Sequence, residues 1–139
     1  MIFFTEKLFK EDSCGENFLL LVLFQLKHFV ADYPLQTEYM LGKFKNGWDF
    51  IPHLVAHTFV HATITFIISF TFTQSIKWSI IFSCFDFIIH FSMDRIKAVK
   101  KYLNRWKPDE KYFWWALGFD QMIHHFTHYI IIAGIIFFA

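Results

Sequence analysis

Residues 48–72 read WDFIPHLVAHTFVHATITFIISFTF, a segment that is apolar over most of its length and contains no lysine, arginine or glutamate. About 20 helical residues are enough to cross a hydrocarbon core about 30 Å thick. Pro52 falls in the opening turn, where proline is tolerated because the first amide groups of a helix have no acceptor within the helix. The segment therefore predicts a transmembrane helix.

Three further stretches have the same character, at about residues 17–33, 75–99 and 112–138. The connections between the four stretches are short, and short links favour antiparallel neighbours. We therefore predict an all-α fold, an integral membrane up-and-down four-helix bundle that forms a single domain over residues 1–139. Residues 1–16 lack the features of a signal peptide and are expected to be a short segment lying at the membrane interface.

Composition indicates that lipid is the main solvent of this chain. Of its 139 residues, 55% are hydrophobic and 22% aromatic, with 21 phenylalanines and a mean hydropathy of +0.37. A compact aqueous core of this size could not hide so many large rings, whereas lipid accepts them on any face. The formal net charge of +1 argues against a nucleic-acid partner. Membrane lipids are the expected surroundings, and no small-residue stripe predicts an oligomer.

Lysine and arginine are unevenly distributed between the two ends of the predicted bundle. The first loop carries Lys43 and Lys45, whereas the opposite end has only Lys7, Lys10 and Lys77. The third loop and its flanks are the most basic: Arg95, Lys97, Lys100, Lys101, Arg105, Lys107 and Lys111. Positive residues are retained on the cytoplasmic side. We therefore expect loops one and three in the cytoplasm and both termini outside.

Each predicted span contains histidine or aspartate residues four positions apart. They are His28 and Asp32; His53, His57 and His61; Asp86, His90 and Asp94; and Asp120, His124 and His128. Four residues is just over one helical turn, so the side chains within each helix share one face. Ionisable groups facing lipid are costly, so we expect these faces to meet inside the bundle.

The predicted topology brings eight of these residues toward the cytoplasmic half, where they are candidate metal ligands: His28, Asp32, His53, His57, His90, Asp94, Asp120 and His124. Imidazole and carboxylate groups suit several divalent ions, with zinc the first candidate and iron or manganese the others. Asp32, Asp94 and Asp120 with a bridging hydroxide would neutralise two ions, although one ion is also compatible with the pattern.

Three more residues of the pattern lie one turn deeper, His61, Asp86 and His128, where they could orient ligands or relay protons. His125 lies off the shared face and is not expected to bind metal. A metal-free polar network or proton relay is the alternative for the whole set. A zinc-protease HExxH motif is absent, since Leu54 follows His53.

These motifs resemble those of a family of small uncharacterised phage and bacterial membrane proteins with four spans. The matching stretches are HFVADYPLQTEYM at residues 28–40, HLVAHTFVH at 53–61, HFSMD at 90–94 and DQMIHH at 120–125. The resemblance implies a bacterial inner-membrane location and adds Gln36, Thr37, Glu38 and Gln121 as residues that would contact substrate or orient ligands. A looser similarity is to bacterial inner-membrane proteins described as metal-dependent hydrolases.

The leading hypothesis is a membrane-embedded metal-dependent hydrolase that acts on a lipid-linked or amphipathic substrate near the cytoplasmic face. A water activated by the ion would be the nucleophile, and His61 or a second ion would stabilise charge. Gln36 and Gln121 are weaker catalytic candidates. Two alternatives remain: a metal-stapled interaction protein, such as a phage factor that binds a host membrane partner, and a small ion or proton carrier.

Overall fold

The computed structural model describes residues 11–99 and 101–138, with side chains described from Cys14 onward. Within these ranges the chain forms four long helices: α1 (Glu11–Asp32), α2 (Ile51–Thr73), α3 (Ile76–Ala98) and α4 (Lys111–Phe138). A short 3-10 helix, Glu38–Phe44, lies between α1 and α2. Each long helix includes a stretch long and apolar enough to cross a membrane, so the predicted all-α fold is confirmed.

The first helix begins earlier than the sequence suggested. Residues 1–10 of the predicted interfacial segment lie outside the described residues, but Glu11 to Glu16 are helical and continuous with the rest of α1. The helix ends at Asp32, two residues before Pro34. Proline disfavours helical geometry in the residue before it, which accounts for this end.

The four long helices form a ring in which each contacts the next, and α1 closes the ring against α4. The link between α2 and α3 is only two residues long. Gln74 adopts a left-handed conformation with φ of 50°, and the Ser75 hydroxyl accepts a hydrogen bond from the Trp78 amide at 3.5 Å. These two residues end one helix and begin the other, which makes α2 and α3 an antiparallel pair.

The 3-10 helix folds back against the beginning of α2. Gly42 packs closely on the start of α2, because a Cβ atom at this position would overlap the His53 ring. The fold-back carries Lys43 into the bundle, where its side chain is 10% exposed. A residue counted among the loop charges is therefore part of the interior.

The interior of the bundle has an apolar end and a polar end. Toward the α2–α3 turn, buried apolar side chains form one cluster: Leu20, Phe24, Ile68, Phe82, Ile131, Ile132 and Ile135. Toward the opposite end, buried histidine, aspartate, lysine and threonine residues gather, with apolar residues such as Leu54 and Met93 packed among them. Large apolar side chains instead face outward, among them Phe59, Ile67, Ile88 and Phe126, each more than half exposed. This arrangement suits a bundle surrounded by lipid.

Candidate metal centre

Aspartate and histidine side chains from all four long helices meet at the polar end of the interior, where the spacing of four residues keeps them on the inward faces. The members are His28 and Asp32 from α1, His57 and His61 from α2, Asp86, His90 and Asp94 from α3, and Asp120, His124 and His128 from α4. All are buried except Asp32, whose side chain is 25% exposed.

Asp94, Asp120 and His124 form a group that we call the mouth triad. Each offers a ligand atom within 4.8 Å of those of the other two. His124 Nε2 lies 3.3 Å from Asp120 Oδ1 and 3.7 Å from Asp94 Oδ1. One oxygen of each carboxylate thus faces the same imidazole nitrogen.

The other oxygen of each mouth carboxylate is paired with a lysine. Lys43 Nζ donates to Asp94 Oδ2 at 2.9 Å, and Lys97 Nζ donates to Asp120 Oδ2 at 2.6 Å. The Gln121 side-chain amide also donates to Asp120 Oδ2, at 3.1 Å. These contacts fix both carboxylates while leaving their Oδ1 atoms directed at His124.

A second group consists of Asp32, His57 and His61, and it adjoins the mouth triad through His57. His57 Nε2 lies 3.1 Å from Asp94 Oδ2 and 3.4 Å from Asp32 Oδ1. His61 Nε2 lies 3.1 Å from the same Asp32 oxygen. His28 Nε2 approaches the other oxygen, Oδ2, at 3.1 Å. Asp32 is therefore surrounded by three imidazoles.

The spacing and bonding of these atoms fit a metal ion. Two ligand atoms about 2.1 Å from a tetrahedral zinc ion lie about 3.4 Å apart, close to the 3.3 and 3.7 Å between His124 and its two carboxylates. Asp120 Oδ1 and His57 Nε2 lie 3.3 and 3.1 Å from His124 Nε2 and Asp94 Oδ2, yet neither contact has hydrogen-bond geometry, and the buried His57 Nδ1 also lacks a hydrogen bond among the described residues. Buried polar atoms are normally satisfied, so the unpaired atoms indicate room for a bound ion or water.

A deeper group, the inner triad, consists of Asp86, His90 and His128 and lies near the middle of α3 and α4. Asp86 Oδ2 accepts hydrogen bonds from Lys27 at 2.6 Å and from the Thr65 hydroxyl at 2.7 Å. The side chains of Asp86 and Lys27 are both fully buried. The carboxylate of the inner triad is therefore already paired with a buried lysine.

A cavity of about 330 Å³ opens beside the mouth triad. All three triad residues line it, as do Asp32, Lys43 and Lys97 from the surrounding pairs. Gln36 and Gln121, which the family resemblance singled out, line it as well. None of the inner triad does. The two triads therefore differ in access to this cavity.

His53, a predicted ligand, is not brought into the cluster. Its Nδ1–H donates to the Tyr39 carbonyl at 2.6 Å, and its Nε2 accepts from Lys45 at 3.1 Å. Both ring nitrogens thereby have partners, so in this structure His53 fastens the 3-10 helix and lies apart from the predicted ligands. The other seven predicted ligands, and His61, lie in the cluster.

The remaining predicted residues lie at its edge. Thr37 and Glu38 are exposed at the start of the 3-10 helix and do not line the cavity. His125 is half-buried and lies within hydrogen-bonding distance of Gln25, with 3.2 Å between its Nδ1 and the amide nitrogen.

The three lysines of the cluster were not anticipated. Lys43 and Lys97 were counted as loop charges, although Lys97 follows Asp94 by three residues and so falls near the same face of α3. Lys27 lies inside a predicted span next to His28, and an ionisable residue at such a position calls for a buried partner. The positions of Lys97 and Lys27 in the sequence therefore indicated that these two lysines could lie in the cluster.

Four helices long and apolar enough to cross a membrane, around an aspartate and histidine cluster, fit a multi-pass membrane protein with candidate metal-binding groups. The chain belongs to the family described as "Protein of unknown function (DUF3307)", which matches residues 20–139. The expected membership of an uncharacterised family is confirmed. No curated protein and no solved structure matches the chain.

Proposed function

We propose that this protein is a membrane-embedded metal-dependent hydrolase acting on an amphipathic substrate at the mouth of the bundle. The observation that carries the proposal is the mouth triad, in which two carboxylates and one imidazole converge beside a 330 Å³ cavity. Three protein ligands with an open side are typical of catalytic metal sites, whereas structural sites are usually closed by four.

Asp94, Asp120 and His124 would hold the ion. Lys43 and Lys97 occupy the outer oxygen of each carboxylate, so the inner oxygens are held in place before any ion binds. When bound, a divalent ion would activate a water and polarise an ester or phosphoryl oxygen. Hydrolysis would add the water oxygen to the acyl or phosphoryl centre, break the ester bond and leave a proton on the departing oxygen.

The charges around the cavity favour one ion over two. Asp32, Asp94 and Asp120 contribute three negative charges, and Lys43 and Lys97 contribute two positive charges. With neutral imidazoles the net charge is −1, so a divalent ion brings it to +1. The sequence suggested that three aspartates and a hydroxide could neutralise two divalent ions. Lys43 and Lys97 already neutralise two of these three carboxylates, so a second ion would leave an excess of positive charge.

Asp32 is the candidate general base. It lines the cavity and is the most exposed carboxylate of the cluster, and its Oδ1 lies 3.1 Å from His61 Nε2. His61 does not line the cavity, so it would act as a positioning residue for Asp32. Gln36 would contact substrate, and Gln121 would position Asp120 through its amide.

Zinc remains the first candidate ion, with manganese and iron next, since carboxylates suit manganese and imidazole suits zinc and iron.

We place the mouth on the cytoplasmic side of a bacterial inner membrane. The basic residues of the loop at the same end, Lys101, Arg105 and Lys107, support this orientation because positive loops are retained there.

The second candidate function is that of an interaction protein whose metal ion only holds the helices together. The burial of the inner triad favours this alternative. Asp86, His90 and His128 are 0%, 1% and 0% exposed, which would suit a structural ion. The Asp86 charge is already met by Lys27, which makes a second cation there less favourable. A carrier would need a polar path onward, yet Leu20, Phe24, Ile131 and Ile135 fill the bundle beyond this level.

The test is a hydrolysis assay on detergent-purified protein that has been stripped with chelator and then restored with zinc, manganese or ferrous iron. We expect release of p-nitrophenol from a p-nitrophenyl ester or phosphate only after metal is restored. Asp120→Asn should lower the rate by more than about a hundredfold, since even outer partners of a ligand typically contribute ten- to a hundredfold.

Asp109→Asn is the matched control, because Asp109 is an exposed loop residue away from the cavity. It should retain the wild-type rate. Equal rates for Asp120→Asn and the wild type, or no metal-dependent hydrolysis of any of these esters, would contradict the proposal.

A further inference from the structure

A second cavity adjoins the mouth cavity and shares part of its wall. Its volume is about 220 Å³, against about 330 Å³ for the mouth cavity. Phe44, Lys97 and Leu117 line both. Small-molecule sites usually measure about 300–1,000 Å³, so the two cavities together have the size of one ligand site.

The two cavities differ in chemistry. The mouth cavity is lined by carboxylates, lysines, amides and His124, together with Tyr33 and the shared Phe44 and Leu117. The second is lined by Leu103, Phe113, Ala116 and the shared Phe44 and Leu117. Its one amide, that of Asn104, already donates to the Ala98 carbonyl at 3.2 Å. The second cavity, which we call the side pocket, therefore suits an apolar group.

Lys97 lies at the junction of the cavities. Its ammonium is 2.6 Å from Asp120, which lines the mouth cavity and not the side pocket, and its aliphatic stem is available to border the side pocket. Long lysine side chains commonly lie along apolar surface while the charged end reaches a polar site. The Lys97 side chain is 35% exposed, the largest exposed fraction among the three lysines of the cluster, so it is the lysine most open to a ligand.

The charge at the mouth determines which polar group fits there. With one divalent ion in the mouth triad, the groups lining the cavity carry a net charge of +1, as counted above. One negative charge on a ligand restores neutrality. Low-dielectric surroundings make such a balance matter more than it would in water.

We propose that the mouth cavity and the side pocket form one binding site for an anionic amphiphile, with its charged head beside Lys97 and its alkyl chain between Leu103, Phe113 and Ala116. This rests on the proposed function, whose substrate class it names. A membrane lipid or lipid intermediate with a phosphate head has the required chemistry.

Native mass spectrometry of the zinc-loaded protein released from micelles tests this, because one spectrum counts both metal and retained amphiphile. The probes are dodecyl phosphate, butyl phosphate with the same head, and dodecyl maltoside with the same chain. We expect the wild type to retain dodecyl phosphate about tenfold or more over either of the others, because burying the chain strengthens binding. Equal retention of all three would overturn the proposal.

Ala116→Phe should fill the side pocket and remove the preference for dodecyl over butyl phosphate while metal content stays at the wild-type level. Ala133→Phe, on the same helix and outside both cavities, should keep that preference. A wild-type chain-length preference in Ala116→Phe would overturn the proposal. Metal without amphiphile would refute this inference alone, whereas a wild type with no metal would refute the proposed function.

Discussion

The mouth triad and the inner triad are built from the same residue types, aspartate and histidine, on the same two helices. Each takes one or two aspartates and histidines from α3 and α4, and in each a lysine is bonded to aspartate Oδ2. Lys27 serves the inner triad, whereas Lys43 and Lys97 serve the mouth. Ligand type alone would not tell the two groups apart.

Their surroundings separate them. Asp86 receives both Lys27 and Thr65 on one oxygen, in a region where each partner is fully buried. Asp94 and Asp120 border a cavity that exposed residues also line. The comparison indicates that access to a cavity makes one polar group a candidate reaction site, while enclosure makes the other a fixed part of the helix packing.

The largest effect is expected from removing the cation of the inner triad. Lys27→Met would leave the Asp86 carboxylate buried without a compensating charge, and breaking such a pair typically costs about 3–5 kcal/mol. Unfolding in mixed micelles should show this loss in the free energy of unfolding. Adding Asp86→Asn should restore much of it, because the unpaired charge disappears.

Lys77→Met is the control for this variant, since Lys77 is exposed near the start of α3. It should change the free energy of unfolding by less than about 0.5 kcal/mol. Similar stability for Lys27→Met and Lys77→Met would show that the enclosed pair does not fix the packing.

A smaller effect is expected from the hydroxyl that supports the inner carboxylate. Thr65→Val removes the 2.7 Å hydrogen bond to Asp86 and keeps the shape of the side chain. Hydrogen bonds to charged groups contribute about 1.5–3 kcal/mol, so the same unfolding measurement should detect the change. Thr63→Val removes only a bond to the Phe59 carbonyl of its own helix and should be close to neutral. Equal losses in the two variants would argue against a special role for Asp86.

The smallest effect on stability is expected at the mouth triad. Lys43→Met removes the cation from Asp94 Oδ2, which keeps His57 Nε2 at 3.1 Å, and makes the mouth more negative, so its affinity for a divalent ion should rise about tenfold or less. Stability should fall by less than in Lys27→Met, because the cavity lets water reach Asp94. Competition with a chromogenic chelator measures the affinity. Weaker binding in Lys43→Met would mean that the lysine assists the metal and does not compete with it.

The sequence predicted the helices and most of the cluster for separate physical reasons. Apolar segments of membrane length predict spans, and a spacing of four residues places His57 and His61, or Asp120 and His124, on one helical face. Neither rule requires knowledge of the loops. Both therefore worked for residues well inside the helices.

Two of the features that the sequence did not predict depend on how the first loop folds. His53 has the correct spacing from His57, but the 3-10 helix returns to the start of α2 and occupies both of its ring nitrogens. The same fold-back inserts Lys43 beside Asp94. Periodicity within a helix carries no information about such a return, and a count of loop charges treats an inserted lysine like an exposed one.

The most direct test of the central claim is elemental analysis of the detergent-purified wild type beside His124→Ala, His128→Ala and His53→Ala. Each variant removes one imidazole: His124→Ala from the mouth triad, His128→Ala from the inner triad and His53→Ala from the start of α2. We predict about one transition-metal ion per chain in the wild type, His128→Ala and His53→Ala, and a loss of most of it in His124→Ala. Full metal content in His124→Ala, or a loss confined to His128→Ala, would contradict the assignment of the mouth triad as the metal site.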